Sequence, residues 1–180
     1  ELFNVKATTG EDEIIIAGSN GKAIRFDESE IRVMGRTASG VRGFNTDGSV
    51  VVGAATSNEG TYLLSVSENG YGKKSEIDEY RKTNRGSKGV KTMNITTKTG
   101  SLVNVRAVNG DEDAMIVTDD GIIIRISLEN VGVYGRNTQG VKLINVNENA
   151  TVSKIAIVEK SEDDEETVEE SEAAVPVNNE

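Results

Sequence analysis

"IIIAGSNGKAIRF", residues 14–26, joins an apolar run to an alternating one through Asn20-Gly21. Asn-Gly supplies the positive φ angles that a two-residue hairpin turn requires, so the stretch predicts two antiparallel strands meeting at that tip. The pattern returns in "ENGYGKKS", 68–75, and "DGIIIRI", 120–126, which places Gly21, Gly70 and Gly121 49 and then 51 residues apart. A second marker keeps the spacing: Gly40, Gly89 and Gly140 are each followed by valine and a basic residue, in "GVR", "GVK" and "GVK". A third is "LFNVKATTGEDE" at 2–13, which comes back as "LVNVRAVNGDED" at 102–113, two periods later. A repeat of about 50 residues is the signature of solenoids, propellers or arrays.

Each repeat reads as strands. "DGSVVVGAA" at 47–55, "TGSLVNVRAV" at 99–108 and "ATVSKIAIVE" at 150–159 are further strands entered through tight turns. Helical periodicity is limited to a turn around "SEIDEY", 75–80. Four short strands in about 50 residues make the blade of a propeller-like array. The fold class is therefore all-β, with about three four-stranded blades in residues 1–159 and a separate segment at 160–180. The strand expected at Leu2–Ala7 has no hairpin mate upstream and the chain does not begin with methionine, so it is expected to start partway through a larger array.

Charge is divided unevenly. Of the formal −10, nine units sit in Ser161–Glu180, which has no Lys or Arg, leaving −1 for residues 1–160. The acidic segment has nothing aromatic to bury and holds the sole proline, Pro176, so it is expected to be disordered. The chain has no cysteine and no histidine. That removes disulfides, thiol nucleophiles, Ser-His-Asp catalysis and the commonest transition-metal ligands together. "EDE" at 11–13 and "DED" at 111–113 lack the spacing of a calcium loop and read as solvated turns. No apolar run nears the roughly 18 residues that span a bilayer, so a soluble, cytoplasmic protein without membrane contact is expected. No catalytic residue, cofactor site or metal site is expected either.

The basic residues recur at fixed places in the repeat. Arg25, Lys74 and Arg125 follow the hairpin glycine by four residues; Arg36, Arg85 and Arg136 precede the Gly-Val; Arg42, Lys91 and Lys142 follow it. The loops "GRTASGV", "NRGSKGV" and "GRNTQGV" contain no Asp or Glu. Cations repeated around a rim would neutralise duplex phosphates whatever the base sequence, and glycine-rich backbone lets N–H groups come close to them. A recurring arginine can instead cap carbonyls or pair with a neighbouring carboxylate, as Arg25 could with Asp27 or Glu28. Arg25, Lys74 and Arg125 rank below the loop cations because strand alternation can turn them to either face.

Taken together, "NGKAIRF...IRVMGRTASGVRG", "ENGYGKKS", "NRGSKGVKTMNIT" and "DDGIIIRI...GRNTQGV" resemble successive blades of the C-terminal domain of the bacterial DNA gyrase A subunit, with topoisomerase IV as a near relative. The resemblance implies a β-pinwheel whose basic perimeter wraps double-stranded DNA in support of ATP-dependent negative supercoiling. It implies as partners the rest of the A subunit and the B subunit, in a heterotetramer of two A and two B subunits. Thr83, Asn84, Arg85, Gly86, Ser87, Lys88 and Gly89 form the nearest match to that family's signature basic loop. Arg85, Gly86, Lys88 and Gly89 fit the motif; Thr83, Asn84 and Ser87 do not, which marks a later blade. The cleaving tyrosine and the ATP site are implied to lie outside this segment. A propeller recognising protein or small ligands through one mouth, and a carboxylate-based hydrolase, are the competing classes.

Overall fold

The computed structural model describes residues 2–160. In chain order these form β1 (Glu13–Gly18), β2 (Lys22–Asp27), β3 (Val51–Thr56), β4 (Tyr62–Ser67), β5 (Tyr71–Glu76), β6 (Val90–Lys91), β7 (Leu102–Val108), β8 (Asp113–Thr118), β9 (Ile123–Ser127), β10 (Val141–Lys142) and β11 (Val152–Val158). One 3-10 turn follows the hairpin in each blade, at Glu28–Glu30, Ile77–Glu79 and Leu128–Asn130, so the helical turn expected near 75–80 is present and repeated. The segment expected to be disordered, 161–180, lies outside the described residues.

The three hairpins, β1–β2, β4–β5 and β8–β9, fall where the Asn-Gly and Asp-Gly pairs placed them, but their loops are one residue longer than expected. Gly18 pairs with Lys22, and Gly21 N–H donates to Gly18 O at 3.0 Å. Gly21 alone takes positive φ, +74°. This is a turn followed by a left-handed residue, the usual three-residue hairpin loop. Asn20 works through its side chain instead: it accepts from Lys22 N–H at 3.2 Å and donates to Thr46 O at 3.1 Å.

The sheets run β3-β1-β2-β6, β10-β5-β4-β7 and β11-β8-β9. Each of the first two borrows its outermost strand from the following repeat: β6 adds to β2, and β10 adds to β5. The inner strands β3 and β7 lie side by side, as do β7 and β11. Strand alternation sends Leu63 to one joint and Leu64 to the next, so two of the three hydrophobic clusters lie between blades, and the third, Ile24, Phe26 and Phe44, lies within blade one. Ile15, Ala55, Leu63 and Val105 fill the first joint; Leu64, Val66, Ile116 and Ile155 fill the second. Fully burying one such leucine is worth roughly 1.5–3 kcal/mol.

Leu2–Ala7 is not a strand. Its repeat counterpart, β7, becomes one by pairing with β4 along Tyr62↔Val108 to Ser67↔Leu102. No described strand pairs with residues 2–7, and backbone without a ladder partner does not hold strand geometry.

Candidate nucleic-acid interface

The loop arginines share one backbone setting. Arg36, Arg85 and Arg136 each occupy the second position of a four-residue turn, closed by Ala38 N–H to Gly35 O (3.1 Å), Ser87 to Asn84 (3.4 Å) and Thr138 to Gly135 (3.1 Å). Successive loops touch. Gly86 N–H donates to Gly43 O and Asn45 N–H to Ser87 O; Asn94 N–H donates to Thr138 O. The guanidinium of Arg85 donates to Arg42 O at 3.2 Å, and that of Arg136 to Lys91 O at 3.0 Å. The tertiary structure thus brings Arg42 to the loop of Arg85 and Lys88, and Lys91 to the loop of Arg136, with Lys142 on β10; among the described residues no hydrogen bond ties the Arg36 turn to another loop.

Their engagement differs. Among the described residues the side-chain heads of Arg36, Arg42 and Lys91 are exposed, with no hydrogen-bond or ion-pair partner. Lys142 and Lys98 stand over the Tyr71 ring at 5.1 and 5.3 Å, which orders both cations at the surface. Arg85 and Arg136 are half-buried. Lys88 is exposed and pairs with Asp47 at 3.2 Å, while Lys22 approaches the same carboxylate at 3.8 Å. A loop free of acid in sequence therefore has an acid opposite it in space.

Two further acids hold the loops in place. The Glu30 carboxylate accepts Arg85 N–H at 2.8 Å and Glu79 accepts Arg136 N–H at 2.8 Å. Each belongs to the 3-10 turn of the preceding blade. Sequence reading missed both, although their recurrence at 30 and 79, in step with the glycines, was the available signal.

Arg25 and Lys74 take the other course open to recurring cations. The Arg25 side chain pairs with Glu13 and Asp78 and donates to Ile77 O (2.8 Å) and Tyr80 O (3.2 Å). Buried Lys74 donates to Leu128 O at 2.8 Å and stands 5.4 Å from the Tyr62 ring centre. Both span from one blade to the 3-10 turn of the next, so the structure places them in the joints rather than on the rim. Arg125, their counterpart, pairs with Asp113 at 2.6 Å. The acids at 12, 13 and 113 are buried rather than solvated, because they serve these pairs and turns. Burial would raise the Glu13 carboxyl, but hydrogen bonds and charge from Lys82 and Arg25 hold it below the ordinary value.

Lys73 is the residue that repeat logic did not anticipate. Blades one and three have Ile24 and Ile124 at its position. Its ammonium is buried, donates to Gly135 O at 2.6 Å and Ser75 Oγ at 3.0 Å, and has no carboxylate partner among the described residues. Burial, opposed by Glu79 and reinforced by Arg136, pulls its pKa from 10.5 down to about 8. Ser75 Oγ donates on to Tyr134 O at 2.7 Å, so the two side chains support the loop carrying Arg136. Nearby, burial pushes the Tyr80 phenol up to about 12, against its hydrogen bonds to Thr92 and Ser75.

No cluster of three His, Cys, Asp or Glu suited to a metal occurs among the described residues, nor a helix long and apolar enough to cross a membrane.

Residues 12–58, 61–109 and 112–159 match the family described as "DNA gyrase C-terminal domain, beta-propeller". The chain is 45% identical over 173 residues to the DNA gyrase A subunit of Ureaplasma parvum serovar 3, covering 95% of this chain and 21% of that protein. It is 43% identical over 174 residues to the DNA gyrase A subunit of Staphylococcus aureus strain MRSA252, covering 95% and 20%. The chain thus spans about a fifth of the length of the curated relatives it matches. Among solved structures, a DNA gyrase A C-terminal domain superposes with a TM-score of 0.76 at 25% identity, over 84% of this chain and 52% of that one. A topoisomerase IV C-terminal domain has the same fold, with a TM-score of 0.77 at 23% identity over 91% of this chain and 52% of that one. Three family-matched repeats coincide with three blades whose outer strands interlock, and the chain belongs to the DNA gyrase C-terminal domain family.

Proposed function

We propose that this chain is a non-catalytic duplex-binding and DNA-wrapping module of a type II topoisomerase. One observation carries the reading: three repeats place an arginine at the same position of the same turn, and hydrogen bonds join the Arg85 turn to residues 42–45 of the preceding blade and the Arg136 turn to Lys91 and Asn94 of the blade before it. Cations repeated along a curved row suit a bent duplex, whose phosphates recur on both strands independently of base sequence. Each of the two joints behind the row holds a buried apolar cluster, so the charge stands on a packed support.

The DNA contacts are assigned first to Arg36, Arg42, Lys91 and Lys142, whose heads are exposed, then to Arg85, Lys88 and Arg136, whose partners a phosphate can replace. In the whole protein the module works with the remainder of the gyrase A subunit and with the B subunit, in a cytoplasmic heterotetramer of two A and two B subunits. Strand cleavage and ATP binding belong to those other parts, and this segment needs no cofactor. Residues 1–159 are the binding unit and 160–180 an acidic appendage that competes with DNA for the rim. Membership in topoisomerase IV is the second reading, favoured by the equally good superposition on its C-terminal domain.

The test is duplex affinity against salt, using fragments long enough to bend, for residues 1–160 and for all 180. A steep negative slope, with tighter binding when the nine carboxylates of 161–180 are removed, is expected. Absence of binding at low salt would overturn the reading.

A further inference from the structure

One carboxylate stands among the rim cations. Thr46–Ser49 is a tight turn, closed by Ser49 N–H to Thr46 O at 3.1 Å, and both of its central residues are left-handed, Asp47 at φ +54° and Gly48 at +86°. Positive φ at both places is the mark of a type I′ turn, for which Asp-Gly and Asn-Gly are favoured pairs. The turn is fixed from several sides. Asn20 Nδ2 and Ser49 Oγ both donate to Thr46 O, at 3.1 and 2.8 Å, and Asp47 N–H donates to Asn45 Oδ1 at 3.2 Å. Asn45 N–H in turn donates at 3.0 Å to the carbonyl of Ser87, the residue before Lys88.

The Asp47 carboxylate is thereby set among lysines. Lys88 Nζ lies 3.2 Å from both of its oxygens, and Lys22 Nζ lies 3.8 Å from Oδ2. Lys22 is the register partner of Lys91 across β2 and β6. Like charges directly opposite each other on a sheet repel, and one carboxylate among three ammonium groups leaves two positive charges unbalanced. The pair is also open to water, with the side chain of Asp47 49% and that of Lys88 60% exposed. An ion pair so exposed is weak and screened by salt, so another anion can take its place.

Neither the turn nor the joint demands this acid. Asparagine meets a left-handed φ as readily, as Asn149 does at +67°. The corresponding loop of blade two, "NITTKTGS" at 94–101, has no Asp or Glu. There Tyr71 and Lys142 are the register partners, and Lys98 stands over the Tyr71 ring at 5.3 Å. In blade three the turn closed by Ala150 N–H to Asn147 O at 3.1 Å carries Glu148 at the Asp47 position, exposed and without an ion-pair partner among the described residues.

We propose that Asp47 is an internal phosphate mimic, which fills a phosphate site formed by Lys22, Lys88 and Lys91 and which a backbone phosphate of duplex DNA displaces. The carboxylate and a phosphodiester carry the same single charge, and each presents two anionic oxygens to the ammonium groups. Displacement leaves the carboxylate beside the duplex, so the residue lowers affinity without blocking the rim. Lys22 thereby becomes a further DNA contact. This rests on the duplex-binding reading and gives that site a built-in competitor.

Duplex affinity of the 180-residue chain, measured against salt, tests it. Asp47→Asn, which suits the left-handed φ, should keep the parent's melting curve and bind duplex about fivefold tighter at low salt. Asp47→Gly should do the same, whereas Glu148→Gln, which removes an equal charge from the blade-three turn, should gain less than about twofold. Lys22→Ala should weaken the Asp47→Asn variant about fivefold but the parent only about twofold, because in the parent the lysine is already engaged. If the parent binds and Asp47→Asn gains no more than Glu148→Gln, or if Lys22→Ala costs both backgrounds the same, the proposal is overturned while duplex binding stands. Absence of duplex binding by the parent and by Asp47→Asn alike would overturn both.

Discussion

The Glu79 carboxylate accepts the backbone N–H of Arg136 at 2.8 Å, as Glu30 does for Arg85 one blade earlier. An acid beside a phosphate-binding cation ought to repel DNA. Here it fixes the turn from which the cation projects. Glu79→Ala and Glu30→Ala are therefore expected to weaken duplex binding about fivefold each, the equivalent of about 1 kcal/mol of loop positioning, despite removing negative charge. Glu79→Gln, which keeps an acceptor, should stay near the parent value. Tighter binding by the alanine variants in a fluorescence titration would show that repulsion outweighs positioning.

Rim and joint cations should separate by salt dependence. Replacing Arg36, Arg85, Lys88 and Arg136 together with alanine is expected to flatten the slope of log affinity against log salt by about 0.9 for each phosphate that is no longer neutralised. Lys74→Met should leave that slope unchanged and lower stability by roughly 1–3 kcal/mol, since Leu128 O loses its buried partner. A slope change in Lys74→Met would return that residue to the DNA face.

Lys73 makes stability depend on alkaline pH. Its folded pKa, about 8, lies below the ordinary 10.5, so between those values the unfolded chain binds the extra proton and stability rises with pH. The full effect has an upper limit of about 3 kcal/mol. Tyr80 acts oppositely: with its pKa raised to about 12, the folded state holds a proton the unfolded one releases above 10, and stability falls there. Denaturant melts of the parent and of Lys73→Ile, which copies Ile24 and Ile124, isolate the lysine. The stability of the parent relative to the variant should rise from pH 7.5 to 10; a constant difference would mean that Lys73 titrates normally.

Glycine substitutions distinguish turn strain from blade contact. Gly121→Ala meets open space and bears only its left-handed φ, a cost of about 1–2 kcal/mol. Gly89→Ala adds a collision with the Ala23 carbonyl that pries β6 from β2, for a total of about 2–5 kcal/mol. Thermal unfolding that ranks the two equally would show that the joint yields without cost.

The repeat of about 50 residues, the hairpins at Asn20-Gly21, Asn69-Gly70 and Asp120-Gly121 and the phase of the recurring basic residues were legible in the linear order. All three rest on local chemistry: turn residues at fixed offsets and side-chain alternation along a strand. Which cations face outward was only partly legible: Arg25, on a strand, ranks below the loop residue Arg36, but the groups that hold Arg25 come from the neighbouring blade. Ile77 O and Tyr80 O reach Arg25 from more than 50 residues away, and Asp47 meets Lys88 across 41. The borrowed outer strands and the buried Lys73 are of the same kind. Their partners come from the next repeat, so only the packing of one blade on another determines whether a charge is buried in a joint or left free on the rim.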